Sequence, residues 1–219
     1  MIKLVIFDLD GTLLNTLEDL ADSCNYILEK HGFTTHPLDS YRFFVGNGIS
    51  KLIERAVPED KRNSELIEQL RKEFISYYSK HAEDKTAPYD GIIDLLTELE
   101  SNGIKLAVAS NKFMAGTQAL VKKYFNNINF VSVFGQRDGV PVKPDPQIIY
   151  DIMEESGISD EEEILYVGDT GTDMKTCNNA RIKGIGVLWG FRSEAELREN
   201  GASYIVEKTS EIKELVMRL

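Results

Sequence analysis

Two cysteines, one tryptophan and six prolines are all the chain has of those types in 219 residues, and no long apolar run occurs. Cys24 and Cys177 fit no metal-binding or redox spacing, and Cys24 falls on the apolar stripe of a helix, where it reads as a small buried hydrophobe. The apolar run at the amino terminus is too short for a signal peptide and ends in two aspartates. Nothing approaches the ~20 apolar residues of a membrane span. A soluble cytoplasmic protein follows as the expectation. Basic charge is also scarce, with 25 Lys and Arg against 36 Asp and Glu and a formal charge of −11. That excludes a general nucleic-acid or acidic-membrane binder, which needs a net basic face. It leaves room for a local phosphate pocket made from a lysine and backbone amides.

What is present is an ordinary globular composition, 42% hydrophobic and 28% charged, without low-complexity tracts or repeats. A chain of this length buries about 70% of its unfolded surface and has room for one substantial domain with an inserted subdomain. Its most telling segment is the first. Lys3 to Phe7 is short, β-branched and almost uncharged, as in a buried parallel strand, and it runs into Asp8-Leu9-Asp10-Gly11. Alternation along an extended chain places Asp8 and Asp10 on one side and Leu9 on the other. Two like charges so close raise each other's pKa unless a cation lies between them, and hard oxygen ligands suit Mg²⁺. Such a pair can also divide labour between nucleophile and proton carrier.

The pattern then turns helical. Leu17, Leu20, Ala21, Cys24, Leu28 and His31 recur at helical spacing with Thr16 as N-cap. A Gly-rich corner, Val45-Gly46-Asn47-Gly48, precedes a second helix, and a third carries Leu66, Leu70, Phe74, Tyr77 and His81 on one face. No strand is legible between residues 15 and 85, which predicts an all-helical insertion over 15–85. From about Pro88, helical and strand patterns alternate, with strands at Ile104 to Ala109, near Phe130, at Ile164 to Val167, at Gly184 to Leu188 and at Tyr204 to Val206. The predicted fold is α/β, a Rossmann-like doubly wound parallel sheet assembled from residues 1–14 and 86–219. Ligands gather at the carboxyl ends of such strands.

Three further strand ends carry chemistry. Ser110-Asn111-Lys112 precedes a helix, and serves equally as an N-cap or as a hydroxyl, an amide and free N–H groups aimed at an anion. Lys143 stands before Pro144, which holds it extended at a defined place, although most lysines are simply solvated. In Gly168-Asp169-Thr170-Gly171-Thr172-Asp173, Thr170 and Asp173 match a capping box. Asp169 is left over, and with Asp8 and Asp10 it completes an oxygen-rich metal site.

The order of these pieces, a strand-end DxDGT, a Ser-Asn-Lys, a Lys-Pro and a GDxxxD, resembles the haloacid dehalogenase superfamily over essentially the whole chain, with the helical insertion as its cap. The resemblance implies that Asp8 takes the phosphoryl group as an aspartyl-phosphate. It makes Asp10 the acid for the leaving oxygen and then the base for water. Mg²⁺ is then held by the Asp8 carboxylate, the Asp10 carbonyl and Asp169. Ser110 and Lys143 bind phosphoryl oxygens, Asn111 lines the adjoining pocket, and Asp173, beside Thr170, orients Lys143. Thr12 is the usual residue of phosphatase branches. Phe44 to Gly48, Leu52 to Ala56, Ala87 to Gly91 and Val187 to Phe191 resemble the phosphoglycolate phosphatases within the superfamily. The implied activity is a Mg²⁺-dependent phosphatase acting on a small phosphorylated metabolite, 2-phosphoglycolate above others, as a monomer or homodimer. Gly46, Asn47 and Gly48 are placed at the leaving-group pocket, and Arg55 reads as a solvated helical arginine. Alternatives are a pyrophosphatase, a sugar-phosphate or nucleotide phosphatase, and a β-phosphoglucomutase-like phosphomutase. A phosphonate-cleaving relative would need a cap lysine, for which Lys51 and Lys61 are candidates. A receiver domain is half this length, and a non-catalytic relative would have lost Asp8 or Asp10. Asn15 departs from the Asp common in relatives near the cap hinge.

Overall fold

A computed structural model describes residues 1–219. Six parallel strands form the sheet, in the order β5-β4-β1-β6-β7-β8. They are β1 (Leu4–Phe7), β4 (Lys105–Phe113), β5 (Phe130–Gln136), β6 (Ile164–Gly168), β7 (Lys183–Val187) and β8 (Tyr204–Val206). β1 is fully buried, and its side chains divide by parity. Val5 and Phe7 pack toward α5 (Ile92–Ser101), α6 (Met114–Tyr124) and α10 (Thr209–Arg218). Leu4 and Ile6 pack toward α7 (Gln147–Ser156) and α8 (Gly171–Ala180). A short helix α9 (Glu194–Glu199) lies beside α8. The chain moves outward from β1 through β4 to β5, then returns to β6 on the other side of β1. That reversal opens a crevice at the carboxyl ends of β1 and β6, and Phe7 pairs there with both Val108 and Val167. Asp8, Ser110 and Asp169 therefore emerge at nearly the same height.

Between β1 and β4 the chain leaves the sheet to form α1 (Leu17–Lys30), α2 (Leu38–Phe44), α3 (Ile49–Ala56) and α4 (Ser64–His81). These helices bury their own core, in which Cys24, Tyr41, Leu52, Phe74 and Tyr78 meet, and Phe191 from the sheet layer enters it. The chain departs through β2 (Leu14–Asn15) and returns through β3 (Ala87–Pro88), which pair antiparallel. The buried Asp19 carboxylate reinforces that junction by accepting the Lys85 and Thr86 N–H groups and the Thr86 hydroxyl. No helix is long and apolar enough to cross a membrane.

Several local expectations change. β2 and β3 have two residues each, too few to show any periodicity. The fully buried stripe of α4 is Leu70, Phe74 and Tyr78, while Leu66 and Tyr77 pack half-buried against the same core, Tyr77 stacking on Tyr26 with centroids 3.9 Å apart. Thr16 occupies the N-cap position of α1, but its hydroxyl donates to Asp10 Oδ1 at 2.7 Å instead of capping the helix. β4 continues through Lys112, so α6 starts only at Met114 and neither Ser110 nor Asn111 caps it. The Thr170–Asp173 capping box forms as read, with both reciprocal bonds in place.

Candidate active site

Asp8 and Asp10 both border the cavity at the strand ends, but a turn and not an extended chain puts them there. β1 ends at Phe7, and the turn bends back on itself, with the N–H groups of Leu13 and Leu14 donating to the Leu9 carbonyl. Gly11 permits this with a φ of +87°. Its missing side chain also matters, because a Cβ there would run into the Asp169 carboxylate. The two aspartates consequently face different lysines. Lys143 Nζ lies 3.0 Å from Asp8 Oδ1, whereas Lys112 Nζ lies 2.9 Å from Asp10 Oδ1.

Around Asp8 the carboxylates of Asp8, Asp169 and Asp173 converge, all buried, each with an oxygen within 4.8 Å of the others. Burial, aided by Asp173 and Asp10 and opposed by Lys143, pushes the Asp8 carboxyl up to about 7. Asp169 is pushed well above the usual carboxylate range by burial and by the charges of Asp173 and Asp8. The three are not equivalent. Asp173 is saturated: one oxygen accepts from Lys143 Nζ at 2.7 Å, the other from the Thr170 N–H and hydroxyl. Asp169 accepts the Phe191 N–H at 2.7 Å and a longer bond from the Thr12 hydroxyl at 3.3 Å. Asp8 Oδ1 makes no well-directed hydrogen bond, since the nearby Lys143 ammonium is out of line with it. A buried carboxylate oxygen with an ammonium beside it but no directed hydrogen bond, next to a crowded second carboxylate, fits a hard divalent cation such as Mg²⁺. Asp8 and Asp169 are the side chains able to hold it.

Lys143 is itself buried, and its ammonium reaches the Ala109 carbonyl, the Tyr166 hydroxyl and Asp173 at 2.7 to 2.9 Å. Burial pulls this ammonium down, but Asp173 and Asp8 more than offset it, so it remains charged. Its position comes from Asn111, whose side chain accepts the Lys143 N–H and donates to the Lys143 carbonyl. The same Asn111 amide also donates to the Gly46 carbonyl of the helical layer. Asn111 thus lines the pocket, with its polar atoms committed to the protein. Ser110 Oγ accepts the Lys112 N–H and faces the cavity.

The cavity between the strand ends and the helices has a water-accessible volume of ≈ 30 Å³ and is lined by Asp8, Asp10, Ser110 and Lys112 below and Leu20, Leu52, Phe74 and Tyr78 above. Gly46 and Gly48 line it too. Asn47 does not: it donates to the Thr172 hydroxyl at 3.0 Å, bridging the layers. Thr12 lies beneath the site, against Asp169. Arg55 is only partly solvated: it donates to the Phe43 and Phe44 carbonyls and to Asn47 Oδ1, bracing the glycine corner. Lys51 and Lys61 pair with Glu54 and Asp60 on the surface, away from the cavity. Arg42 and Arg192 tie the layers together through the Gly190 and Val45 carbonyls.

Lys112, Tyr78 and Tyr166 went unread as site residues. For Lys112 a signal existed: it stands two residues beyond Ser110 on an extended chain, and period-2 alternation returns it to the same side. Tyr166 sits mid-strand and Tyr78 on an apolar stripe, where an aromatic residue reads as core.

The family Haloacid dehalogenase-like hydrolase matches residues 5–187. The chain belongs to that family. Among curated relatives of this hydrolase, the phosphoglycolate phosphatase of Mesorhizobium japonicum is 32% identical over 221 residues, covering 98% of this chain and 96% of the relative. That of Agrobacterium fabrum is 34% identical over 197 residues, covering 86% and 81%. A crystal structure from Lactobacillus delbrueckii subsp. bulgaricus, provisionally assigned as a phosphoglycolate phosphatase, superposes with a TM-score of 0.88 at 30% identity, covering 98% of both chains.

Proposed function

We propose that this hydrolase is a Mg²⁺-dependent phosphatase that cleaves a small phosphomonoester, 2-phosphoglycolate above others, through an aspartyl-phosphate on Asp8. The observation that carries the reading is the unequal pairing of Asp8 and Asp10. Asp8 lies over Lys143 in the carboxylate cluster, while Asp10 points its carboxylate into the cavity, held by Lys112 and Thr16. The names of the curated relatives supply the substrate.

Asp8 attacks phosphorus, and Lys143 offsets the repulsion between two anions. Asp10 delivers a proton to the departing oxygen, since an alkoxide leaves poorly, and then takes one from the water that clears the intermediate. Ser110 holds a phosphoryl oxygen. When bound by Asp8, Asp169 and the Asp10 carbonyl, Mg²⁺ supplies electrostatic stabilisation of the transferring group. Asp173 keeps Lys143 aligned and Thr12 keeps Asp169 aligned. Residues 15–85 serve as a cap that excludes water and selects the leaving group, with Gly46 and Gly48 forming part of its floor.

A panel of 2-phosphoglycolate, sugar phosphates, nucleotides and pyrophosphate, assayed with Mg²⁺ and with chelator, tests this. Metal-dependent turnover with 2-phosphoglycolate foremost supports the reading, and absence of turnover across the panel refutes it.

A further inference from the structure

Lys112 and Tyr78 stand out in the cavity because Lys112 holds Asp10 and yet neither side chain takes a phosphoryl oxygen in the proposed reaction. Lys112 is the sole cation lining the cavity, and its side chain is only 2% exposed. Its ammonium reaches both Asp10 oxygens, at 2.9 and 3.2 Å. It also lies 4.6 Å from the centre of the Tyr78 ring. Tyr78 is fully buried, comes from the helical layer, and its hydroxyl has no hydrogen-bond partner. A buried hydroxyl left bare is uncommon and calls for an explanation. The remaining cap walls, including Leu20, Leu52 and Phe74, offer a leaving group no polar contact.

We infer that Lys112 and Tyr78 together form the receptor for a carboxylate on the leaving group, and so determine the specificity of the reaction. The inference rests on the phosphatase reading above and names the residues that read the substrate beyond its phosphate. The ester oxygen must sit at Asp10 to receive its proton. Lys112 touches that same carboxylate, so the next atoms of the leaving group arrive beside the ammonium. An acid group one carbon from the ester oxygen meets the Lys112 charge and the idle Tyr78 hydroxyl. It also gives the ammonium a second anionic partner. A neutral leaving group of equal length leaves the Tyr78 hydroxyl without a partner and gives the Lys112 ammonium nothing beyond Asp10, and desolvated polar groups penalise that mismatch. Discrimination then arises from what the site loses with the wrong substrate as much as from what it gains with the right one.

The test compares 2-phosphoglycolate with ethyl phosphate, which keeps the ester oxygen and two-carbon chain but lacks the carboxylate. Wild type, Lys112→Met and Tyr78→Phe are assayed with Mg²⁺, with kcat and KM separated. Wild type should prefer 2-phosphoglycolate, and Lys112→Met should lower that preference roughly 10- to 100-fold, on the scale of a lost charge-assisted hydrogen bond. Tyr78→Phe removes one oxygen and leaves the ring packing intact. It should lower the preference about 3- to 10-fold, the scale of one neutral hydrogen bond, chiefly through KM. An equal fall on both substrates in both variants means that Lys112 only props Asp10, and overturns the inference. Wild type that turns over both substrates alike also overturns it, while leaving the phosphatase reading in place. Wild type that turns over neither removes the phosphatase reading and this inference together.

Discussion

Replacing Lys143 with methionine removes the one cation embedded in the Asp8–Asp169–Asp173 cluster while keeping nearly the same side-chain volume. In the native protein its ammonium serves Ala109, Tyr166 and Asp173 and lies 3.0 Å from Asp8. Methionine leaves two of three crowded carboxylates without their counter-charge, both less than 10% exposed. Removing one partner of a buried ion pair costs about 3–5 kcal/mol, because the survivor stays desolvated and unpaired. For a chain of this size each kcal/mol lowers the thermal midpoint by about 2–4 °C, so the variant should unfold roughly 6–20 °C below wild type. Calorimetry in the presence of chelator measures this without a divalent ion standing in for the ammonium. A second change, Asp173→Asn, removes the stranded charge, and the pair should be non-additive by at least about 1 kcal/mol. A midpoint within about 3 °C of wild type, or strict additivity in the cycle, refutes the view that Lys143 is the electrostatic keystone of the site.

Other expectations follow from the same geometry. Saturating Mg²⁺, at a hundred times its dissociation constant, should add about 2.7 kcal/mol and raise the wild-type midpoint by roughly 5–10 °C. Asp169→Asn should lose most of that rise, and an equal rise in both proteins would exclude Asp169 as a ligand. A Cβ on Gly190 would overlap the Asp169 side chain and come within 2.5 Å of the Gly11 carbonyl, so Gly190→Ala should cost about 1–3 kcal/mol and blunt the response to Mg²⁺. An unchanged midpoint and metal response would contradict that packing. On the helical layer, hydrogen bonds from Lys30 and then His31 hold the Glu73 carboxyl at about 2, below its ordinary 4.5. A depressed carboxyl contributes stability above pH ~4.5 and loses it as pH falls toward ~2. Because the pair is partly solvated, Glu73→Gln should cost only about 0.5–1 kcal/mol at neutral pH. Urea unfolding should show that difference shrinking below pH ~4.5, and a pH-independent difference would refute the assignment.

Much of this was legible along the chain because its strands are buried on both faces and end in polar residues. Val5, Phe7, Val108 and Val167 declare a sheet interior, and the aspartates and lysines that follow mark the edge where ligands collect. Direction was harder to read. Asp8 and Asp10 alternate only while the chain stays extended, and the turn at Leu9 to Leu14 ends that condition at once. Thr16 reads as a helix cap from local pattern, yet a stronger acceptor, Asp10, lies within reach only after folding. Arg55 illustrates the same limit: on a helix of mixed charge it looks solvated, and only the fold supplies the three acceptors that draw it inward. Lys112 shows the converse, since a lysine among polar residues suggests solvent until the cap covers it.

The central claim is that Asp8 is the nucleophile, and the most direct test is to catch the phosphoryl group on it. Wild type mixed with 2-phosphoglycolate and Mg²⁺, quenched in acid within one turnover, should yield a peptide spanning Asp8 that is heavier by one phosphoryl group. Asp8→Asn should show none, and Asp10→Asn should both form and clear the phosphorylated peptide more slowly than wild type. Turnover by wild type with no phosphorylated Asp8 peptide at any quench time, or undiminished turnover by Asp8→Asn, would contradict the account.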